Sequence, residues 1–355
     1  MKNNRIAKSL INWYEQNKRD LPWREYHDPY KIWLSEVILQ QTRVDQGLPY
    51  FIKFVEKYPT VYHLEEASID DVLRSWQGLG YYSRARNLHK CAKTIVHDHN
   101  GKFPTTRQEL LELPGIGPYT SAAIASLAFG NKDAVIDGNV IRVITRLYGI
   151  EDDIGKGKTI MQIKMIVDEL IPKSNPGLFN QAIMEFGALH CTPKKPSCDT
   201  CEFLGLCAAQ KNGTQNKIPY KYRKTKIRLR FFNYLLIKIN GKYLLRKRIE
   251  RDIWNGLFEF FLIETNSEIG FDNFQLPEKL IQNPHLWDLR NESPSHKHLL
   301  SHQTIFCRFF EIGMSENFEY NSMDWKEYKL YSNEEIDHLP KSVLIDRYFG
   351  EKKIE

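Results

Sequence analysis

The stretch Leu113-Pro-Gly-Ile-Gly-Pro-Tyr119-Thr120, followed by the small-residue run Ser121–Ala128, decides the fold of this chain. Gly115 and Gly117 allow a tight turn in which no side chain blocks approach to the backbone. The run that follows favours a helix, whose first N–H groups have no partner within the helix and therefore suit a phosphate. The pattern predicts a helix–hairpin–helix that binds a DNA backbone without reading its sequence. A plain turn between two helices is the alternative.

The sequence on either side of this hairpin predicts two domains of different secondary structure. Up to about residue 210, apolar residues recur every three or four positions, which indicates helices. From Phe231 onward the pattern changes, because Asn240-Gly241 lies between two strand-like runs and is typical of a β-hairpin. A chain of 355 residues is also long for one core. We therefore expect an all-α domain over residues 1–222 and an α+β domain over residues 223–355.

The composition excludes several classes of protein. Hydrophobic residues make up 42% of the chain and charged residues 26%, a balance typical of globular proteins and not of disordered or fibrous ones. Apolar runs are far shorter than the roughly 20 residues of a membrane helix, and the N-terminal residues do not resemble a signal peptide. We therefore expect a cytoplasmic protein in a reducing compartment, with no membrane partner. The net charge of +6 allows a phosphate-backbone partner without requiring one.

Four cysteines form the strongest single motif of the sequence. They are spaced Cys-x6-Cys-x2-Cys-x5-Cys, and they are Cys191, Cys198, Cys201 and Cys207. Four thiolates suit either a tetrahedral zinc ion or a cubane iron–sulfur cluster. Zinc ribbons usually bring two close Cys-x-x-Cys pairs, so the uneven spacing favours the cluster; disulfides are the alternative. Lys194 and Lys195 add positive charge that suits DNA phosphates.

Two carboxylates are candidates for catalysis. Glu36 has Ile32 and Trp33 one helical turn before it and Leu39 one turn after it, so its helix face is apolar. Burial there favours the protonated form that a general acid needs near neutral pH. The alternative is a surface glutamate at a helix edge. Asp137 precedes a helical run and is first of all an N-cap, although a cap can also direct its carboxylate into a cleft.

Taken together, the hairpin, the cysteine motif and Asp137 resemble the endonuclease III superfamily of helix–hairpin–helix DNA glycosylases. Three further segments resemble the adenine-excising MutY branch of that superfamily: Leu34–Thr42, Gly78–Asn87 and Phe179–Ala182. The resemblance covers essentially the whole chain. It implies an all-α helix–hairpin–helix core with one [4Fe-4S] cluster on the four cysteines, followed by an α+β Nudix-like domain. It also implies a bacterial protein that binds double-stranded DNA, and we expect a monomer.

The resemblance assigns roles to the residues of the catalytic centre. Glu36 would protonate N7 of a flipped adenine, and Asp137 would stabilise positive charge on the sugar. Tyr119 and Asn139 would position water and the carboxylates. Bifunctional relatives carry a lysine where this chain has Tyr119, and a phenol cannot form a Schiff base. Some relatives also carry a lysine where this chain has Ile141, so we expect base removal without strand cleavage.

The resemblance also assigns residues that bind the substrate. Trp23, Arg24 and Gln181 would line the adenine pocket, while Gln41 and Tyr81 would enter the base stack where the adenine leaves it.

The second domain resembles the Nudix-like domain of this branch through Trp254–Phe260. It lacks the metal-binding Nudix box, so we expect it to bind 8-oxoguanine and not to hydrolyse. Ser301 and His302 would read that base, because a hydroxyl accepts the N7 hydrogen that guanine lacks. Leu300 replaces the usual phenylalanine of this loop and puts its hydrophobic support in question.

The function implied by the resemblance is that of a monofunctional DNA glycosylase. The substrate would be adenine mispaired with 8-oxoguanine or guanine in double-stranded DNA, and the product an abasic site. A pyrimidine glycosylase with lyase activity, similar to endonuclease III, is one alternative, and Tyr119 argues against it. A mispair-binding protein without catalysis is another, and the presence of both Glu36 and Asp137 argues against that.

Overall fold

The chain divides into two compact units. The computed structural model describes residues 2–222, 227–315, 318, 325 and 327–351. One unit comprises Met1–Glu66 and Asn87–Arg223, and the other comprises Ala67–Arg86 and Lys224–Glu355. The break near residue 223 lies beside the expected domain boundary. However, Ala67–Arg86 groups with the second unit, so the division into two consecutive domains over 1–222 and 223–355 stays a prediction.

Twelve α-helices and one short 3-10 helix (Pro22–Arg24) precede the first strand within the described residues, and the α-helices are labelled in chain order. They are α1 (Lys2–Asn17), α2 (Pro29–Leu39), α3 (Val44–Lys57), α4 (Val61–Glu66), α5 (Ile69–Trp76), α6 (Ser83–His99), α7 (Arg107–Glu112), α8 (Pro118–Phe129), α9 (Gly138–Tyr148), α10 (Gly157–Leu170), α11 (Pro176–Leu189) and α12 (Ala208–Lys211). The core of the first unit forms where α1, α9, α10 and α11 bury apolar side chains such as Leu10, Ile144, Val167 and Phe186. The all-α prediction for this part of the chain is confirmed.

The hairpin between α7 and α8 has the form that the sequence predicts. A capping box of Thr106 and Glu109 begins α7, and Pro118 occupies the first turn of α8. Gly115 has φ +76°, and a Cβ there would lie 2.6 Å from Asn87 Cβ. Both the left-handed backbone and the close neighbour therefore require glycine at this position.

The second unit is built on an eight-stranded mixed sheet within the described residues. Its strands are β1 (Arg228–Ile239), β2 (Lys242–Lys247), β3 (Phe258–Glu259), β4 (Phe261–Thr265), β5 (Trp287–Glu292), β6 (His296–Leu299), β7 (Gln303–Met314) and β8 (Tyr328–Tyr331). The central pair, β1 and β7, is parallel, while β1 and β2 form the predicted hairpin through Asn240 and Gly241, both with positive φ. Three short helices accompany the sheet: α13 (Glu278–Gln282), α14 (Asn333–His338) and α15 (Val343–Glu351).

Alternation along β1 gives the sheet two apolar faces. Phe232 and Tyr234 face a core completed by α14 and α15, and Leu235 and Ile237 face a second core that includes Leu280 of α13. The expected α+β architecture is confirmed. No described helix combines the length and the apolar character needed to cross a membrane.

Candidate active site

A cavity of about 1600 Å³ opens into the first unit. Its walls come mainly from α2, α8, α9 and α11 and from the turn before α2. Seven of the residues that the sequence predicts for the site line it together: Trp23, Arg24, Glu36, Tyr119, Asp137, Asn139 and Gln181. Residues far apart in the sequence are thus brought to one place. The cavity is large enough for a nucleobase together with its sugar.

Glu36 lies in the wall of this cavity on the apolar α2. Only 9% of the residue is exposed, and Leu34 and Ile38 beside it are completely buried. Tyr119 Oη donates a hydrogen bond of 2.5 Å to Glu36 Oε2. Burial, which outweighs the opposing effect of that hydrogen bond, raises the pKa of Glu36 to about 7. Glu36 is therefore able to hold a proton near neutral pH and to release it to a base.

Asp137 is both the N-cap of α9 and part of the cavity wall. Its Oδ1 accepts a 2.7 Å hydrogen bond from the Val140 backbone N–H, and its Oδ2 accepts one of 2.7 Å from Asn139 Nδ2. Burial raises the pKa of Asp137, although these hydrogen bonds oppose the shift. The capping role that the sequence predicts is confirmed, and the same geometry fixes the direction of the carboxylate.

Arg142 connects Asn139 to the cysteine motif. Its Nη2 donates 2.7 Å hydrogen bonds to Asn139 Oδ1 and to the Gly187 carbonyl, and its Nε donates one of 2.7 Å to the Cys191 carbonyl. A chain of direct hydrogen bonds therefore runs from Asp137 through Asn139 and Arg142 to Cys191. All residues of this chain of hydrogen bonds belong to the start of α9 or to the segment after α11.

Asn180 fixes the segment that precedes Asp137. This fully buried side chain donates 2.8 Å hydrogen bonds to Ser126 Oγ and to the Asp133 carbonyl, and its Oδ1 accepts one from the Val135 backbone N–H. Removing it would leave several buried polar groups without partners. Asn180 lies in the segment Phe179–Ala182 that carries the family resemblance, but the sequence assigns it no role, because nothing in its local pattern distinguishes it from a core polar residue.

Glu185 is the main cavity residue that the sequence analysis missed. It forms ion pairs with Arg19 (Nη2 to Oε2, 2.6 Å) and Arg24 (Nη2 to Oε2, 2.7 Å). Burial alone would raise its pKa, but the hydrogen bonds from both arginines bring the pKa down to about 2. Glu185 stands four residues after Gln181, so the two share one face of α11, and that spacing was the available signal.

The predicted adenine-pocket residues are held by their neighbours. Tyr14 Oη donates a 2.9 Å hydrogen bond to Gln181 Oε1. The Trp23 ring, 8% exposed, meets the Phe51 ring edge to face at 5.4 Å. Arg24 is fixed by Glu185, as described above. The pocket is therefore ordered before any ligand enters.

The four cysteines of the motif are free thiols that line one small cavity of about 30 Å³. Arg146 Nη1 lies 3.3 Å from Cys191 Sγ, and the Phe203 backbone N–H donates to Cys201 Sγ at 3.4 Å. His190 and Gln215 also line this cavity, and their Nε2 and Oε1 atoms are buried without hydrogen-bond partners in the described part of the chain. Four sulfur donors around one cavity, with the Arg146 guanidinium beside Cys191, suit an inorganic centre carrying negative charge.

The remaining predicted residues lie elsewhere. Gln41 is exposed after α2 with φ 56°. Tyr81, Ser301 and His302 belong to the second unit. Ser301 and His302 are exposed in the turn between β6 and β7, where Ser301 Oγ lies 2.7 Å from His302 Nδ1. Leu300 packs against the core on the α14 and α15 side, so the turn keeps hydrophobic support without a phenyl ring.

Comparisons with known proteins agree with this architecture. Residues 34–169 match the family model described as HhH-GPD superfamily base excision DNA repair protein, and residues 233–350 match a NUDIX domain. Among solved structures, a thermostable thymine-DNA glycosylase is 29% identical with a TM-score of 0.54, covering 59% of this chain and 98% of that one. A non-covalent endonuclease III–DNA complex, 24% identical with a TM-score of 0.52 over 61% of this chain and 99% of that one, shares the fold.

Curated relatives extend the similarity along the chain. The adenine DNA glycosylase of Buchnera aphidicola from Schizaphis graminum is 34% identical over 350 residues, covering 95% of this chain and 96% of the relative. The human adenine DNA glycosylase is 42% identical over 219 residues, covering 59% of this chain and 40% of the relative. Since the first similarity spans nearly the full length of both proteins, this chain belongs to the adenine DNA glycosylase family, with a core of the helix–hairpin–helix base excision repair superfamily.

Proposed function

We propose that this protein removes adenine mispaired with 8-oxoguanine or guanine in double-stranded DNA and stops at base removal. One observation carries the proposal: the protonatable Glu36 shares a cavity with Asp137 and is hydrogen-bonded to Tyr119 at 2.5 Å. An acid for the leaving base and a carboxylate for the sugar are the two groups that hydrolysis of a glycosidic bond requires. The family relationship supports adenine as the base.

Glu36 acts as the general acid in this proposal. Protonation of adenine at N7 turns the base into a neutral leaving group, so the bond to the sugar breaks more easily. A pKa of about 7 lets Glu36 carry this proton under ordinary conditions and still give it up. Tyr119 donates to the carboxyl and holds its orientation.

Asp137 stabilises the positive charge that develops on the sugar. Its carboxylate is fixed by Val140 and Asn139, so it needs no reorientation when the charge appears. Water, positioned by Tyr119 and Asn139, then adds to the sugar and loses one proton, which returns to the Glu36 carboxylate left by the first step. Because Tyr119 has no amine, no Schiff base with the sugar forms and the strand stays intact.

Gln181 and Glu185 recognise the flipped adenine. Tyr14 occupies Gln181 Oε1, which leaves the amide N–H groups for acceptors on the base. Glu185 remains ionised at neutral pH and can accept from an exocyclic amine. Trp23 supplies an aromatic wall, and Arg24 holds Glu185 in place.

A single-turnover assay tests the proposal directly. A duplex with one adenine opposite 8-oxoguanine should yield free adenine and an abasic site that breaks only after alkali treatment. Strand cleavage, or a covalent adduct trapped by borohydride on pyrimidine-damaged DNA, would instead support the glycosylase–lyase alternative. Tight binding without adenine release would support the non-catalytic alternative.

We also propose that Cys191, Cys198, Cys201 and Cys207 hold one [4Fe-4S] cluster. Across the described residues, no three His, Cys, Asp or Glu side chains converge to hold a single metal ion. A cubane cluster does not need that convergence, because each cysteine binds a different iron atom. When bound, the cluster supplies a cross-link that orders the loop after α11, and the Arg142 bonds transmit that order to Asn139.

Iron and sulfide analysis of anaerobically purified protein checks the cluster. We expect about four iron and four sulfide ions per chain, with a broad visible absorption band. Cys198→Ala should lose both, whereas Cys91→Ala, a change of a buried thiol outside the motif, should keep them. One zinc ion per chain and no visible absorption would contradict the proposal.

Ser301 and His302 are proposed to recognise 8-oxoguanine opposite the adenine. The Ser301 hydroxyl, exposed and beside His302 Nδ1, can accept a hydrogen bond from N7–H of the damaged base. Guanine has an acceptor at that atom, so the contact favours the lesion.

We further propose that the protein acts as a cytoplasmic monomer, as a bacterial DNA repair enzyme would.

Ser301→Ala should lower the preference for 8-oxoguanine over guanine by about fivefold, because one neutral hydrogen bond is lost. The preference is measured as the ratio of single-turnover rates at subsaturating enzyme on the two mispairs. Ser295→Ala, a change of an exposed serine outside the turn, serves as the matched control. An unchanged ratio in the Ser301 variant would contradict this role.

A further inference from the structure

The segment Ala67–Arg86, which carries Tyr81, is attached to the second unit by contacts along its length. Near its start, Asp70 forms an ion pair with Lys247 Nζ. After α5, Gln77 Oε1 accepts a 3.3 Å hydrogen bond from the Lys341 backbone N–H. At its end, Arg86 Nη1 donates a 2.6 Å hydrogen bond to the Asn255 carbonyl. Side chains and backbone of the lesion-recognising unit therefore hold this segment on both sides of Tyr81.

The turn that receives Arg86 is itself tightly fixed. Trp254 has φ 61°, a left-handed conformation that is rare for a bulky residue, and its ring packs against Phe232 and His298. Asn255 Nδ2 donates 2.9 Å hydrogen bonds to the carbonyls of Ile249 and Glu250. These bonds leave the Asn255 carbonyl directed at Arg86, so the turn is a rigid acceptor.

Tyr81 also has a left-handed backbone, with φ 50°, and its side chain is 43% exposed. The neighbouring Gly80 carbonyl accepts hydrogen bonds from Trp76 Nε1 at 3.0 Å and from Arg84 Nη2 at 3.1 Å. Such a backbone persists only where its surroundings determine it. Tyr81 lies two residues before α6, and its carbonyl accepts a 2.9 Å hydrogen bond from the Arg84 backbone N–H in the first turn of that helix. Arg86 belongs to the same turn, so displacement of Arg86 would relax the support for Tyr81.

We propose that the turn Trp254–Gly256 positions Tyr81 for insertion into the base stack, with Arg86 as the positioning residue that connects them. The inference rests on the proposed function, in which Tyr81 enters the stack as the adenine leaves it. It adds that the unit carrying Ser301 and His302 also holds the intercalating side chain. The second unit then both recognises the base opposite adenine and opens the mispair. The strand that carries the lesion therefore sets the place where Tyr81 enters.

Hydrogen exchange of the free full-length protein provides a test that needs no DNA. Arg86→Met removes the donor of the hydrogen bond to the Asn255 carbonyl, and Asn255→Ala removes the side chain that fixes the turn carrying that carbonyl. Each variant should speed hydrogen exchange of the Gly78–Tyr82 amides by about tenfold. Arg86→Lys keeps a donor and should behave nearly as wild type. Lys90→Met, which removes one exposed charge a turn further along α6, is the charge-matched control. Unchanged exchange in both test variants would overturn the proposal.

A double-mutant cycle on DNA provides the second test. With 2-aminopurine beside the mispair, Arg86→Met and Tyr81→Ala should each reduce the fluorescence rise on binding, and the double variant should match Tyr81→Ala alone. Losses that simply add would show that Arg86 acts independently of Tyr81 and would overturn the proposal. If the wild type binds the mispair and gives this signal but releases no adenine, the proposed function fails while the positioning role stands.

Discussion

Glu36→Gln is expected to slow adenine release by about 10³-fold, which is within the range typical of losing a general acid. The affinity for the mispair should stay within about a factor of two of wild type. Glutamine has nearly the same shape and can still accept from Tyr119 Oη, so the cavity keeps its form. It carries no proton that can be transferred to N7. The single-turnover rate and the equilibrium affinity on the same A:8-oxoguanine duplex separate the two effects.

The pH profile of the rate provides the control for this assignment. The acid works in its protonated form, so the wild-type rate should fall as the pH rises through the Glu36 pKa of about 7. The fall should be absent from the residual rate of Glu36→Gln. Glu25→Gln makes the same chemical change at an exposed residue of the cavity rim and should keep the wild-type profile. A near-normal rate for Glu36→Gln would remove Glu36 from the mechanism.

Asp137→Asn is expected to slow adenine release by about 10²- to 10³-fold, because a fixed negative charge beside the developing cation is lost. Asparagine is as good an N-cap as aspartate, so α9 should keep its start and the melting temperature should change little. This choice of variant separates the chemical role of Asp137 from its structural one, which an alanine variant would not do.

The matched control for this substitution is Asp133→Asn. Asp133 lies in the same segment, four residues earlier, and its side chain forms a long 3.9 Å ion pair with Arg107, while its backbone contacts do not depend on the carboxylate. Its substitution should alter neither the melting temperature nor the single-turnover rate appreciably. A rate for Asp137→Asn within tenfold of wild type would contradict the electrostatic role.

Sequence patterns predict the features of this protein that depend on local physics. The helical period, the Asn240-Gly241 turn and the glycines at 115 and 117 depend on neighbours a few residues away, and the structure confirms the elements they predict. The apolar neighbours of Glu36 likewise predict its burial. These signals are readable because helix and hairpin geometry bring such residues together whatever the rest of the chain does.

Features that depend on distant residues were not predictable in this way. Glu185 meets Arg19, which is 166 positions away, and no local pattern connects them. The bond between Arg142 and the Cys191 carbonyl joins α9 to the segment after α11, and the packing of the two helices sets this distance. Ala67–Arg86 groups with the second unit, and one of the contacts between them joins Arg86 to Asn255, which are 169 positions apart. Tertiary packing alone determines such pairs.

The two hairpin glycines differ in how freely evolution can replace them. At Gly115 the positive φ and the nearby Asn87 side chain both disfavour any other residue, so the stability of the fold alone requires glycine there. At Gly117 the backbone is extended, and apart from its chain neighbours no heavy atom of the described residues lies within 4 Å of the place that a Cβ would take. If the hairpin binds a DNA backbone as its sequence predicts, a side chain at Gly117 should lower DNA affinity more than it lowers the stability of the fold.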